Sequence, residues 1–137
     1  MGSSYHQLYY HFVWTTYKRN CWIDKEIEKN LEILIRDKVS SMKSELMAFG
    51  CTGDHVHLLV KLHPSVSLSR IVGEVKGYTS YVIANQIKSS VGFCWQGGYG
   101  AFSVSSWDLP RTIKYIHNQK EHHQQKSLIQ EWELLDK

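Results

Sequence analysis

The chain has 137 residues, 42% of them hydrophobic, and a formal net charge of +3. This length allows one domain with a single hydrophobic core, because most domains contain about 100–150 residues. No apolar run approaches the ~20 residues that a membrane-spanning helix needs. The three cysteines form no C-x-x-C pair, which argues against a disulfide framework or a zinc knot and favours the reducing cytoplasm.

Basic charge is concentrated in the middle and late parts of the chain. Residues 46–130 hold eight Lys or Arg and six His, but only four Asp or Glu. Aromatic residues are interleaved with these cations, as is typical of surfaces where cations follow the phosphates of single-stranded nucleic acid and rings stack on its bases. A mildly basic protein with no nucleic-acid partner has the same composition, so charge alone leaves both interpretations open.

The first half of the chain predicts a strand, a helix and a β-hairpin. Residues 5–17 are rich in aromatic and β-branched side chains, which favours a strand. Its almost continuously apolar centre predicts that both faces are covered, for example by a second subunit. Asp24 is expected to cap a helix whose apolar residues recur every three or four positions as far as Met42. Residues 46–52 and 55–62 then predict two strands joined by a tight turn.

The second half predicts a helix, a strand and a further helix. Ser67 is expected to cap a helix with apolar residues at helical spacing through residue 88. Residues 93–105 predict a glycine-broken strand or a hairpin. A helix that tolerates Pro110 in its first turn is expected to begin near Asp108 and to run to about Glu121. The complete order predicts an α+β, ferredoxin-like (RRM-like) split βαβ fold, in which helices pack on an antiparallel sheet.

Two histidines alternate on the second strand of the predicted hairpin. Successive side chains of a strand point to opposite faces, so His55 and His57 project together and lie close enough to bind one metal ion. Val56, between them, points into the core and holds the strand in place beneath them. The pattern H-x-H also occurs by chance, and the alternative is a pair of packed core histidines.

The last main helix offers a third ligand. Arg111, Tyr115 and Gln119 are spaced four residues apart and share one stripe, while Ile113 and Ile116 are expected to face the core. The amide oxygen of Gln119 could complete a metal site, and the phenolic oxygen of Tyr115 could attack a phosphorus atom held there. The alternatives are a partly buried tyrosine whose hydroxyl bonds to the backbone and a solvated glutamine.

Several segments resemble one known family when they are taken in chain order. They are "YHQLYYHFVWTTYKR", "DHVHLLV", "LSRIVGEVKGYTS", "FCWQGGYGAFSVS" and "YIHNQ". Together they resemble the single-tyrosine HUH transposases of bacterial and archaeal insertion sequences (TnpA type, IS200-like). The resemblance covers about residues 5–121, and it implies one transposase domain over 1–137 that ends in a helical tail, 122–137. It also implies a mobile C-terminal tyrosine helix and a homodimer whose sheets join.

The resemblance implies a metal-dependent reaction on single-stranded DNA. His55 and His57 would bind Mg²⁺ or Mn²⁺, Gln119 would complete the metal site, and Tyr115 would be the nucleophile. Cleavage would leave a 5′-phosphotyrosine and a free 3′-hydroxyl, and the substrate would carry hairpins near the ends of the mobile element. No organic cofactor and no membrane partner are expected.

Five cations are candidates for contacts with the DNA backbone, although each is as well explained by a solvated surface charge. Asp54 is expected to be a turn residue, because strand alternation places it on the opposite face from His55. No carboxylate lies on the stripe of Tyr115, so the metal ion is expected to activate the phenol. The candidate DNA contacts are Lys61, Arg70, Lys76, Arg111 and Lys114.

Other enzyme classes fit less well. Histidine-triad hydrolases need a third alternating histidine where this chain has Leu59, and phosphoesterases with paired H-x-[ST] motifs need a second copy. Plasmid relaxases place their tyrosines before the histidines, where Tyr5, Tyr9 and Tyr10 are expected to lie in a strand. The remaining alternative is a domesticated, non-cleaving or REP-type DNA-hairpin-binding protein on the same fold. Relatives that act on repetitive extragenic palindromes usually have Asn-Pro in place of Asn118-Gln119, which favours the insertion-sequence branch.

Overall fold

A computed structural model describes residues 2–119 of the chain. Within this range the elements follow in the predicted order. They are β1 Tyr9–Thr15, α1 Lys25–Ser41, β2 Glu45–Cys51, β3 His55–Lys61, α2 Leu68–Val82, β4 Gly100–Val104 and α3 Leu109–His117. The expected end of the last helix near Glu121 and the predicted tail, 122–137, lie outside the described residues.

The strands form one antiparallel sheet in the order β2-β3-β1-β4. Strands β1 and β2 both run antiparallel to β3, which lies between them. They therefore run in the same direction and are joined through α1, which is the split βαβ connection. The predicted α+β, ferredoxin-like fold is confirmed.

The helices begin where the sequence supplies caps. The Asp24 carboxylate accepts a hydrogen bond from the Ile27 N–H at 2.9 Å, and the Ser67 hydroxyl accepts one from the Arg70 N–H at 3.1 Å. Each bond satisfies one of the backbone donors that a helix start leaves without an intrahelical partner. Both predicted caps are confirmed. Helix α2 is extended by a π-helical turn, Ile83–Ile87, so that the helical segment ends close to the predicted position.

Apolar side chains pack on both faces of the sheet. The larger core lies between the sheet and helices α1 and α2, and Val56 belongs to it as predicted. A smaller cluster on the other face contains Leu59 of β3 and Ile116 of α3, and α3 packs across β2 and β3. Strand β1 is buried on both faces within this one chain, with Phe12 on one side and His11 on the other. The expected two-sided cover therefore does not require a second subunit.

The segment that precedes β4 is a glycine-broken strand rather than a hairpin. Trp95 pairs with Thr16 through one isolated bridge, and the regular strand begins only at Gly100. Gly98, between them, has a φ of 90°, a backbone conformation that favours glycine and interrupts the ladder. Strand β1 is also shorter than expected, because it begins at Tyr9 rather than at residue 5. None of the helices in residues 2–119 has the length and apolar character required to cross a membrane.

Candidate active site

The two alternating histidines lie side by side on the face of β3 that α3 covers. His55 and His57 are both fully buried, and their ring centroids are 5.1 Å apart. Leu59 follows them on the same face and packs against α3, while Val56 points into the larger core. The strand is thus held from both sides, and the rings have little freedom to move apart.

His55 is oriented by the turn that precedes it. Its Nδ1 lies 2.8 Å from Asp54 Oδ1 and 2.8 Å from Thr52 Oγ1. Burial alone raises the pKa of Asp54, but hydrogen bonds from His55 and Arg19 outweigh it and hold this pKa well below its usual range. Because an ionised carboxylate can only accept hydrogen bonds, the proton of the His55 ring lies on Nδ1. Asp54 lies in the turn between β2 and β3 as expected, but it also orients His55, a contact that strand alternation did not predict.

Arg19 holds Asp54 from the other side. Its Nε and Nη2 donate to the two carboxylate oxygens of Asp54 at 3.0 and 3.1 Å. Lys18 and Arg19 both have a positive φ, of 53° and 55°, which is uncommon for residues other than glycine. This backbone turn immediately after β1 brings the guanidinium back over the β2–β3 connection. The rule that successive side chains of a strand point to opposite faces does not apply to Asp54, because β3 begins only at the next residue, His55.

His57 is oriented by a third histidine that sequence reasoning did not single out. His11 Nε2 lies 2.8 Å from His57 Nδ1, and His11 is fully buried on the neighbouring strand β1. In the β1–β3 register, His11 pairs with Leu59 and Val13 pairs with His57. The contact therefore runs diagonally between two strands. Only the pairing register could have revealed it, since nothing local in the sequence links His11 to β3.

Tyr115 lies against the histidines of its own chain. Its side chain is 4% exposed, and its ring centroid is 5.9 Å from that of His57 and 6.4 Å from that of His11. Both contacts are edge-on. The candidate nucleophile and a candidate metal ligand are thus neighbours within one chain, whereas the sequence left open whether Tyr115 serves its own subunit or another.

The packed face of α3 differs from the predicted one. Tyr115 and Gln119 are buried on the same side as Ile116, whereas Arg111 is exposed and Ile113 only half-buried. With about 100° of rotation per residue, the packed arc of the helix starts at Tyr115 and passes through Ile116. The stripe formed by Tyr115 and Gln119 is thus part of the packing face, and Arg111 lies at its solvent edge.

Gln119 presents a buried amide one helical turn after Tyr115. Its Nε2 donates to the Tyr115 carbonyl oxygen at 3.1 Å, which holds the side chain against its own helix. Its Oε1 is buried and has no hydrogen-bond partner among residues 2–119. A buried polar atom in this state costs about 1–3 kcal/mol, and a cation would satisfy it. Together with imidazole nitrogens, an amide oxygen is a donor set that fits Mn²⁺ or Mg²⁺.

Carboxylates and thiolates do not complete the site in the described part of the chain. Residues 2–119 contain no group of three or more His, Cys, Asp or Glu side chains arranged to hold a metal ion. Within the described residues, a metal site built on His55 and His57 therefore needs a donor of another type. Gln119 is the donor that the sequence suggested, and its buried Oε1 fits that role.

The approach of α3 to the sheet depends on Gly50. A Cβ atom placed on Gly50 would lie 1.8 Å from the carbonyl oxygen of Ile116, the residue that follows Tyr115. Gly50 of β2 pairs with His57 of β3, so the helix crosses the sheet beside the histidine. Only glycine allows this approach, and a glycine in a strand often marks such a contact between backbones.

Comparison with known proteins assigns the chain to a family. Residues 4–119 match the family model described as "Transposase IS200 like". The chain belongs to the IS200-like transposase family. It is accordingly a DNA transposase, an enzyme that cuts DNA and moves it to another site. No curated protein sequence matches this transposase.

Two solved structures resemble this IS200-like transposase. A proposed transposase from Deinococcus radiodurans R1 is 26% identical, with a TM-score of 0.68 over 87% of this chain and 96% of that one. A REP-associated tyrosine transposase bound to a REP hairpin is 16% identical, with a TM-score of 0.67 over 89% of this chain and 74% of that one. Because the identity to the second structure is only 16%, that comparison supports the fold alone.

The candidate DNA-binding cations of the transposase occupy different environments. The Lys76 ammonium donates to the carbonyl oxygens of Gln96 and Gly98 at 2.7 and 3.0 Å, and burial lowers its pKa. Arg70 forms a salt bridge with Glu74 at 2.7 Å. Lys76 therefore supports the loop before β4, and Arg70 is partly neutralised by its neighbour. The remaining three candidates are exposed: Lys61, Arg111 and Lys114.

Proposed function

We propose that this transposase cleaves and rejoins single-stranded DNA through a covalent bond between Tyr115 and a 5′-phosphate. The observation that carries the proposal is the contact between the Tyr115 ring and His57 within one chain, at a centroid distance of 5.9 Å. In a transposase, this contact supports a role for Tyr115 as a nucleophile beside histidines that could bind a divalent cation.

The proposed metal ligands are His55, His57 and Gln119. Each histidine has its Nδ1 in a hydrogen bond, so Nε2 is the nitrogen that would coordinate the ion. When bound, Mg²⁺ or Mn²⁺ would polarise the scissile phosphate as a Lewis acid. Asp54 and His11 hold the two rings in position, and no organic cofactor is required.

Tyr115 is the proposed nucleophile. Its phenolic oxygen forms a bond to phosphorus and the bond from phosphorus to the 3′-oxygen breaks. The phenol proton is lost to solvent, and the departing 3′-oxygen takes one proton from solvent to become the free 3′-hydroxyl. The covalent phosphotyrosine retains the energy of the broken bond, which allows rejoining to another 3′-hydroxyl. An ordinary tyrosine ionises near pH 10, so the reaction needs the nearby cation to favour the phenolate.

The proposed substrate is a single strand that carries a hairpin. The fold likeness to a transposase bound to a REP hairpin supports this substrate class. Arg111 and Lys114 are exposed on α3, the helix that carries Tyr115, and could contact phosphates near the cleavage site. Trp107, immediately before that helix, is 91% exposed and could stack on an unpaired base.

The proposed assembly is a homodimer in which two sheets join. Strand β4 lies at the edge of the sheet, and an edge strand can pair with the same strand of a second copy. The close contact between Tyr115 and His57 means that each subunit already contains both groups. Movement of the tyrosine helix between subunits remains a prediction. A transposase with this chemistry is proposed to act in the cytoplasm.

A covalent-adduct assay tests the proposal. The full-length protein is incubated with Mn²⁺ and hairpin-bearing single strands from the DNA that flanks its gene, labelled at the 3′ end because the protein would stay on the downstream fragment. A labelled adduct on a denaturing gel is expected. Tyr115→Phe should abolish it, whereas Tyr81→Phe, which alters an exposed tyrosine of α2, should not.

The metal ligands are tested in the same assay. His57→Ala should abolish cleavage while hairpin binding is largely retained, because the ring holds the cation rather than the DNA. An adduct that persists in Tyr115→Phe would remove Tyr115 as the nucleophile. If no hairpin-bearing strand gives an adduct but the hairpins still bind, the protein is a non-cleaving hairpin-binding member of the fold.

A further inference from the structure

We propose that His11 is a positioning residue that sets the tautomer of His57 and so determines whether His57 can bind a metal ion. This inference rests on the proposed function, because it concerns the same site. It starts from the contact between His11 Nε2 and His57 Nδ1 at 2.8 Å, with both residues fully buried. His11 would act through His57 and would contact neither the DNA nor the reacting atoms.

A hydrogen bond between two neutral imidazoles requires them to take different roles. Each neutral ring has one N–H donor and one acceptor nitrogen, so the shared proton lies either on His11 or on His57. If His11 Nε2 is the donor, the proton of His57 lies on its own Nε2, which then has no lone pair for a metal ion. If His57 Nδ1 is the donor, its Nε2 has that lone pair. Metal binding by His57 therefore requires His11 to accept.

The two histidine ligands are thus oriented by different means. The ionised Asp54 can only accept and sets the His55 tautomer by its charge. A neutral imidazole at His11 can donate or accept, so its own tautomer has to be selected. Partners of this kind, which bind the second nitrogen of a ligating histidine, typically change metal affinity by about 10- to 100-fold when they are removed.

The His11 ring is held by packing on several sides. Its centroid lies 6.0 Å from Phe102 of β4, 5.1 Å from His57 of β3 and 6.4 Å from Tyr115 of α3. Strand β1 lies between β3 and β4 in the sheet. In a packed interior, a ring enclosed in this way cannot turn away without displacing its neighbours. The position of His11 is therefore determined by the fold, which is what an orienting group requires.

The first test measures the tautomer directly in the metal-free protein. Long-range ¹H–¹⁵N NMR of the full-length chain, at about pH 8 and so above the ordinary imidazole pKa of about 6.5, distinguishes Nδ1–H from Nε2–H rings. The proposal requires His57 to carry its proton on Nδ1 and His11 to accept at Nε2. A His57 ring protonated on Nε2 would overturn it, whatever the activity of the protein.

The second test measures Mn²⁺ affinity by electron paramagnetic resonance. His11→Phe keeps an aromatic ring but removes both nitrogens, and it should weaken Mn²⁺ binding by about 10-fold or more. His11→Gln places an amide oxygen near the position of Nε2 and should recover most of the affinity. The matched control His63→Phe removes a histidine from the loop after β3 and should leave the affinity unchanged.

The outcomes separate this inference from the proposed function. Equal Mn²⁺ affinity in wild type and a folded His11→Phe protein would refute the role of His11 even if Tyr115 forms the covalent adduct. Equal losses in His11→Phe and His11→Gln would also refute it, because a purely structural role gives no rescue. A wild-type protein that binds no Mn²⁺ would refute the proposed metal site, and the NMR measurement would still decide the tautomer.

Discussion

Gly50→Ala should separate the position of the tyrosine helix from the chemistry of the site. The added Cβ would lie 1.8 Å from the Ile116 carbonyl oxygen, whereas real Cβ atoms essentially never approach closer than 3.0 Å. Strand β2 and helix α3 must therefore move apart by at least the difference, about 1.2 Å. Both atoms belong to groups with little freedom, a Cβ and a backbone carbonyl, so no side-chain rotation can relieve the contact.

The expected consequence is a large loss of rate with a moderate loss of stability. Tyr115 is adjacent to Ile116 and moves with it, and a displacement of about 1 Å in a reacting group can reduce a rate about 100-fold. Overpacking at such a contact typically costs about 1–3 kcal/mol of folding free energy. Most of the protein should remain folded, because the larger core on the opposite face of the sheet is not touched.

The assay compares three quantities in wild type and variant: the rate of covalent adduct formation, hairpin affinity and the free energy of unfolding. Gly77→Ala is the matched control, because a Cβ at this exposed position of α2 meets nothing within 4 Å. That change should raise stability by about 0.5–1 kcal/mol and leave the rate unchanged. A folded Gly50→Ala protein with the wild-type rate would refute the argument that the Gly50 contact positions Tyr115.

Three further predictions concern stability and DNA binding. Asp24→Ala should lower the free energy of unfolding by about 1 kcal/mol at neutral pH. Hydrogen bonds from Lys88 and the Ile27 N–H lower the pKa of Asp24. The difference in the free energy of unfolding between wild type and Asp24→Ala, measured by urea unfolding, should therefore be largest above about pH 4 and should decline as the pH falls below that value. Lys114→Gln should reduce the salt dependence of hairpin binding by about 0.7–0.9 in the log–log slope without changing the melting temperature. Lys76→Gln should instead lower the melting temperature, because Lys76 holds two carbonyl groups of the loop before β4; unchanged melting there would refute that supporting role.

Local patterns were sufficient to predict most of the fold. Helical spacing of apolar residues identified α1 and α2, and their caps at Asp24 and Ser67 follow from side chains that bond to the nearest backbone donors. Strand alternation placed His55 and His57 on one face because both lie within the regular part of β3. Each of these inferences needs only neighbours along the chain, and for that reason each could be made before any tertiary contact was known.

The supporting residues of the site depend on contacts that are distant in sequence. His11 reaches His57 through the pairing register of β1 and β3, which no local pattern encodes. Gly50 matters because a helix more than fifty residues later crosses it. The packed face of α3 was misassigned for a related reason: Tyr115 and Ile116 are both large and apolar enough to be buried, and the sequence does not say which arc of the helix meets the sheet.

Two kinds of support hold the candidate site, and they act on different groups. Gly50 sets the distance between α3 and the sheet and thus the position of Tyr115, while His11 sets the proton position on His57. A change at Gly50 should therefore alter the rate of adduct formation without changing the His57 tautomer, and it should lower Mn²⁺ affinity only as far as α3 carries Gln119 away from the histidines. A change at His11 should alter the His57 tautomer and Mn²⁺ affinity whether or not DNA is present. If the Gly50 variant instead changed the His57 tautomer as the His11 variant does, the two supports would not be separate, and the site would have to be treated as one cooperative packing unit.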